Sequence, residues 1–220
     1  MKRLLLLLLI PNLADAKCAR PIIGSEIVST RDTHIPADGG VLIAAGHTDE
    51  ANASPKFDDP TDVEWTANGK KLDRTVLAPG LAVLKGGGNF TIKSKSGAAL
   101  GTFTHDGKQA SLAAPKIASA KVVTSREVRW QTTTGTVTLK SAAPAEAVAI
   151  IVYDADKAIS FGRLADTHDK DLSIVIYQEG GHCGIGIPGQ GTLLLSQKVT
   201  FAYVDAFGRV SPKSAAVTVQ

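Results

Sequence analysis

The 220-residue chain predicts an all-β protein: two tandem β-sandwich domains behind a cleaved signal peptide. Two observations carry the fold class. Short apolar or alternating runs recur between turn residues, spaced about 8–15 residues apart, as in all-β sandwiches. Ala, Val, Thr, Ser and Gly abound and no segment has the length and periodicity of a long helix, a bias toward strands and turns. A third observation, the export pattern of the N-terminus, places the sandwiches after residue 16.

The opening "MKRLLLLLLIPNLADAKC" has three parts. Lys2 and Arg3 supply a cationic start, Leu4 to Ile10 an apolar stretch, and Ala14-Asp15-Ala16 small residues at the −3 and −1 positions. That is the pattern of a secretory signal peptide cleaved after Ala16. A membrane anchor needs about 20 apolar residues, and Pro11, Asn12 and Asp15 interrupt this run early. Lys17 precedes Cys18 where a lipoprotein needs a small residue. No later stretch is apolar enough to span a bilayer, so the mature form is expected without a membrane span, periplasmic or secreted.

The first domain is expected over residues 17–110. "PIIGSEIVS" reads as its first strand and "VLIAAG" as a short buried-type strand. Residues 47–61 are polar with two prolines and form a loop. "DVEWTANGKKLDRTVL" predicts a hairpin, because Asn68-Gly69 tolerates the positive φ values of a type I′ turn. Further short strands follow in "LAVLKGGGNFTIKSKSGAALGTFT".

"HDGKQASLAAPKIASA" lacks periodicity and marks the boundary near residue 110. The second domain, 111–220, restarts with "KIASAKVV". "EVRWQ" and "GTVTLKSA" are expected to pair across "TTT". "AVAIIVYDADKAISFGRL" reads as strand, Asp-Ala-Asp turn, strand. A single helical turn is compatible with Pro144–Glu146. "DLSIVIYQE" alternates, and "GGHCGIGIPGQG" is a glycine-rich loop.

The last segment, "KVTFAYVDAFGRVSPKSAAVTV", predicts a terminal hairpin. Val199, Phe201 and Tyr203 fall on one face of its first strand, and Thr200, Ala202 and Val204 on the other. Asp205 is placed to cap the turn and Gly208 to adopt a left-handed conformation. "SAAVTV" is the return strand. "FAYVDAFGRVSP" resembles the final hairpin of bacterial immunoglobulin-like and fibronectin-type-III-like domains, with their A-x-D-x-x-G-x-x-S run. "PGQGTLLLSQKVTFAYVDAFGRVS" resembles the approach to it. The resemblance covers about 30 residues and implies an immunoglobulin-like sandwich for the second half; the inter-sheet cysteine pair of antibody domains is absent.

The formal net charge is +3, and loss of the signal peptide leaves +2. Lys and Arg are scattered, which argues against nucleic-acid binding. Cys18 and Cys183 are the two cysteines. Export permits a disulfide between them, worth roughly 5 kcal/mol at most for so long a loop. The alternative is two unpaired thiols. His182 beside Cys183 is poor evidence for a catalytic pair, since neighbours on an extended chain point apart.

No G-x-S-x-G elbow, P-loop, HExxH or EF-hand loop occurs, so no catalytic, cofactor or metal residues are assigned. His34, His47, His105, His168 and His182, and the pairs Asp58-Asp59, Asp154/Asp156 and Asp169/Asp171, fall in turns or strand ends. Trp65 and Trp130 are expected in the core; an exposed Trp would instead anchor a ligand. Asn52 and Asn89 open N-glycosylation sequons, relevant only in a eukaryotic secretory pathway.

The sequence thus predicts an exported, non-enzymatic binding or interaction protein. Its partner would be an unknown protein or glycan, met through loops 47–61, 164–171 or 180–191. One alternative is an exported metal-dependent protein or enzyme using loop His and Asp residues. Another is a structural subunit of a cell-surface assembly joined through strand edges.

Overall fold

The computed structural model describes residues 22–27, 34–48, 66–67, 70–86, 89–93, 99–107, 111–128, 130–164, 173–180 and 190–220. Among them lie sixteen strands and no helix. In the first half these are β1 (Ile22–Ile27), β2 (His34–Pro36), β3 (Val41–Thr48), β4 (Thr66–Ala67), β5 (Lys70–Lys71), β6 (Asp73–Ala78), β7 (Leu81–Lys85), β8 (Phe90–Lys93) and β9 (Ala99–Gly107). The second half has β10 (Ile117–Glu127), β11 (Trp130–Leu139), β12 (Ala147–Asp154), β13 (Lys157–Arg163), β14 (Ser173–Gly180), β15 (Lys198–Asp205) and β16 (Val217–Thr218). The protein is all-β, as its composition and spacing predict.

The second half is a β-sandwich. One sheet has the order β10-β11-β14 and the other β13-β12-β15-β16. The alternation of each strand sends one set of side chains inward. Ile117, Ala120, Val137, Leu139, Ile174 and Ile176 meet Ile150, Val152, Ile159, Val199, Phe201 and Tyr203 in one buried cluster.

The edges of this sandwich are closed in two ways. On one side Ala120 bridges Val219 in parallel, and Gln220 N–H donates to the Ala120 carbonyl at 2.9 Å. On the other, Gly162 of β13 runs against the backbone of Val175 in β14, an approach that leaves no room for a Cβ. The buried Ser160 hydroxyl donates to the Ile176 carbonyl and accepts from Gln190 Nε2 at 3.0 Å, tying both edges to the incoming chain. Gly191 N–H closes the seam on the Ile159 carbonyl at 2.7 Å.

First-half strands form two further sheets, β1-β3-β7-β6 and β2-β9-β8-β4-β5. Among the described residues no ladder crosses residue 110. The halves nevertheless share buried side chains. Leu42, Ala44, Ala78 and Leu81 pack with Ala149, Ile151, Phe161 and Val204. The β13-β12-β15 face that points away from the sandwich core is therefore covered by β3, β6 and β7. This explains why "AVAIIV" and "FAYV" are continuous apolar runs, the signature of strands buried on both faces.

The predicted Asn-Gly hairpin forms: β4 and β5 pair Thr66 with Lys71 and Ala67 with Lys70, leaving two residues between them. Three expectations are corrected. "TTT" is not a turn. β10 and β11 pair from Ser119↔Thr138 to Glu127↔Trp130, so Thr132, Thr133 and Thr134 lie within β11 and the chain reverses after Glu127. β-Branched threonines favour the strand, and the run holds no turn residue.

At Pro144–Glu146 there is a turn rather than helix, closed by Ala147 N–H on the Pro144 carbonyl at 3.0 Å. The return strand of the terminal hairpin shrinks to Val217–Thr218. Pro212 lacks an N–H and interrupts the ladder. The Ser211 and Ser214 hydroxyls replace it, accepting from Tyr203 N–H at 2.9 Å and Phe201 N–H at 3.0 Å.

Candidate functional site

The buried polar groups identify structural clasps. Asp205, fully buried, ends β15. Its carboxylate accepts from Phe207 N–H and Arg209 N–H, both at 2.9 Å, and from Arg209 Nε at 2.7 Å. Gly208 has φ +72° and lies so close to Val83 that an added Cβ would stand 2.5 Å from its Cγ2. Gly40 N–H donates to the Phe207 carbonyl at 2.8 Å, and Arg209 reaches Asp38 at 3.5 Å. The turn predicted from "DAFG" thus has the expected cap and left-handed glycine. It also docks on the first half, for which the local sequence carries no signal. The oxygens of Asp205, Ser160 and Ser211 are engaged with backbone groups, with Arg209 or with the Gln190 amide.

The acidic pair Asp154/Asp156 sits exposed at the β12–β13 turn. Asp156 pairs with Lys213 at 2.9 Å, and the same ammonium stands 4.4 Å from the Tyr153 ring centroid. Burial raises the Tyr153 and Tyr203 phenol pKa values. Burial also raises Tyr177, and its hydrogen bond to Glu179 adds to the effect. His34 is exposed on β2, His105 is half-buried on β9 and His47 belongs to β3. Among the described residues no three His, Cys, Asp or Glu side chains gather to hold a metal ion.

Ala16, Cys18, Cys183, His168, His182, Trp65, Asn52, Asp58-Asp59 and Asp169/Asp171 lie outside the described residues. So do most of loops 47–61, 164–171 and 180–191. Among the described residues no helix is long and apolar enough to cross a membrane.

One surface feature among the described residues is the β10–β11 hairpin. Its strands hold an unbroken register from Ser119↔Thr138 to Glu127↔Trp130. The Thr124 and Thr133 hydroxyls bond across it at 3.1 Å. Arg126 donates to Gln131 Oε1 at 3.2 Å, bracing the turn. Arg126, Glu127, Val128 and Trp130 line an open recess of ≈ 460 Å³. Val128 is fully exposed, and Val123, further down β10, is 60% exposed.

Trp130 is half-buried rather than in the core, because its strand has only just begun where the sandwich interior ends. An aromatic and an arginine beside exposed apolar surface form the composition that dominates protein interfaces. The sequence reading missed this tip because it put the turn at "TTT". The available signal was "REVRW": an apolar residue between charges, in a strand pattern without glycine or asparagine.

Comparison with protein-family models, with curated proteins and with solved structures yields no match.

Proposed function

We propose that the chain is an exported, non-enzymatic interaction protein of the periplasm or cell exterior. It would consist of two tandem immunoglobulin-like β-sandwich domains released by cleavage after Ala16, with Cys18 and Cys183 joined. The sheet orders β10-β11-β14 and β13-β12-β15-β16, packed on one core, support an immunoglobulin-like second domain. The fold alone selects no ligand.

The observation that carries an interaction role is the hairpin tip. It presents exposed Val128 and half-buried Trp130, flanked by Arg126 and Glu127, on a braced two-strand support. Rigid display of an aromatic anchor lowers the ordering cost of binding. The partner on this reading is another protein.

The test is site-specific photo-cross-linking of the full chain in the cells that make it. A photoreactive residue at Val128 is expected to yield one discrete adduct. That adduct should vanish in Trp130→Ala and be absent when the probe sits at exposed Lys140 in the β11–β12 connection. Equal labelling from both positions, or none from either, would overturn the role of the tip.

A further inference from the structure

We propose that the outward face of the β10-β11-β14 sheet binds an uncharged polysaccharide chain, laid along the threonines of β11. The site is separate from the hairpin tip and goes beyond the protein partner inferred there.

Strand alternation defines this face. Val137 and Leu139 of β11 point into the core, so Thr132, Thr134, Thr136 and Thr138 point away from it. Successive members of this column stand about 6.7 Å apart. On one side β10 pairs Ser125 with Thr132, Val123 with Thr134 and Lys121 with Thr136. On the other, β14 pairs Val175 with Thr136 and Ser173 with Thr138. The Thr138 and Ser173 hydroxyls bond each other at 2.9 Å, so they share the face. Val123 is 60% and Val175 48% exposed, and Lys121, Ser125 and Ser173 are exposed beside them. The column is therefore open to solvent on both flanks.

The chemistry of the face selects the ligand. A solvated surface ordinarily mixes many charges of both signs. Among the described outward residues of these strands, charge comes only from Lys121 and, at the hairpin end, Glu127. The two are opposite in sign, so the face presents no field for a polyanion or a polycation. Protein-binding hot spots favour Trp, Tyr and Arg and are poor in Ser, Thr and Val. The threonine column with its flanking valines is the reverse.

A hydroxyl both donates and accepts a hydrogen bond, which matches a ligand built of hydroxyls. The Val123 and Val175 methyls offer apolar contact to the C–H groups of a sugar ring. Threonine is stiff at χ1, so these hydroxyls are already ordered and lose little freedom on binding.

The probe is affinity electrophoresis of the full chain in gels cast with soluble glucan, mannan or chitin derivatives, with a sulfated polysaccharide as the charged comparison. At least one neutral polymer is expected to retard the protein. Thr134→Val combined with Thr136→Val removes two hydroxyls at nearly constant shape and keeps β-branched residues in the strand. The apparent affinity should fall about tenfold, as for the loss of two ordinary hydrogen bonds. Thr133→Val makes the same change on the opposite face and should bind like the parent. Val175→Lys leaves every hydroxyl in place, alters an exposed position beside the column, and should also weaken binding.

Retardation by none of the neutral polymers, or by the sulfated one alone, would overturn the site. So would binding indifferent to both the double change and Val175→Lys. Binding lost in Trp130→Ala but unaffected by the double change would move the sugar to the hairpin tip and overturn the column. The protein adduct at Val128 is read in a separate experiment, so either reading can fail while the other stands.

Discussion

Asp205 shows how much one side chain can decide. Its carboxylate satisfies two backbone donors and the Arg209 guanidinium inside a fully buried turn. Removing one member of a buried pair leaves the other uncompensated, at a cost of about 3–5 kcal/mol. Asp205→Ala is therefore expected to lower the urea-unfolding free energy by roughly 3 kcal/mol. Asp205→Asn, which keeps an oxygen for the Phe207 and Arg209 amides, should lose distinctly less. Equal losses would mean that the ion pair adds nothing to the cap. The cap itself was legible, because Asp followed three residues later by Gly has few other uses. The contact of Arg209 with Asp38 was not, since the two meet only after chain segments 171 residues apart are brought together.

The strands show where local pattern suffices and where it fails. β12, β13, β14 and β15 follow their apolar runs within a few residues. The Asn-Gly hairpin was readable because that dipeptide answers a backbone requirement. The β10–β11 turn was not, because Val128 and Arg129 carry no turn chemistry and the long register alone sets the reversal point. Pro212 shortened the last strand in a way a period-2 pattern does not register.

The Ser160 hydroxyl makes a side-chain hydrogen bond across the seam between β13 and β14. Ser160→Ala strands the Ile176 carbonyl and releases Gln190. It should cost about 1–3 kcal/mol and raise the unfolding rate, measured by stopped-flow urea jumps. A neutral result would show that the backbone bond from Gly191 suffices to hold the seam.

At the scale of the whole molecule, the shared cluster governs behaviour. Leu42, Leu81, Ile151 and Phe161 are each buried in it. Full burial of such a side chain is worth about 1.5–3 kcal/mol, so the four together approach 10 kcal/mol. That is comparable to the entire net stability of an ordinary domain, about 5–15 kcal/mol. The two halves are expected to unfold together. Differential scanning calorimetry should give one transition with equal calorimetric and van't Hoff enthalpies. A fragment of residues 111–220 should expose Ala149, Ile151, Phe161 and Val204, and bind a hydrophobic dye or aggregate. Two separated transitions, with a well-behaved fragment, would show the cluster to be a mere contact between independent domains.

The sequence by itself determined the all-β class, most strand positions, the Asn-Gly hairpin and the Asp205 cap. Each is a local matter: side-chain period, β-branching and turn chemistry act over a few neighbouring residues. The tertiary structure alone decided that the outer face of β12 and β15 is covered, that Trp130 begins a strand at a hairpin tip outside the core, and that β10 is the outer strand of its sheet. Those outcomes depend on which distant segments meet. Apolar residues advertise only that they must be buried, never against what.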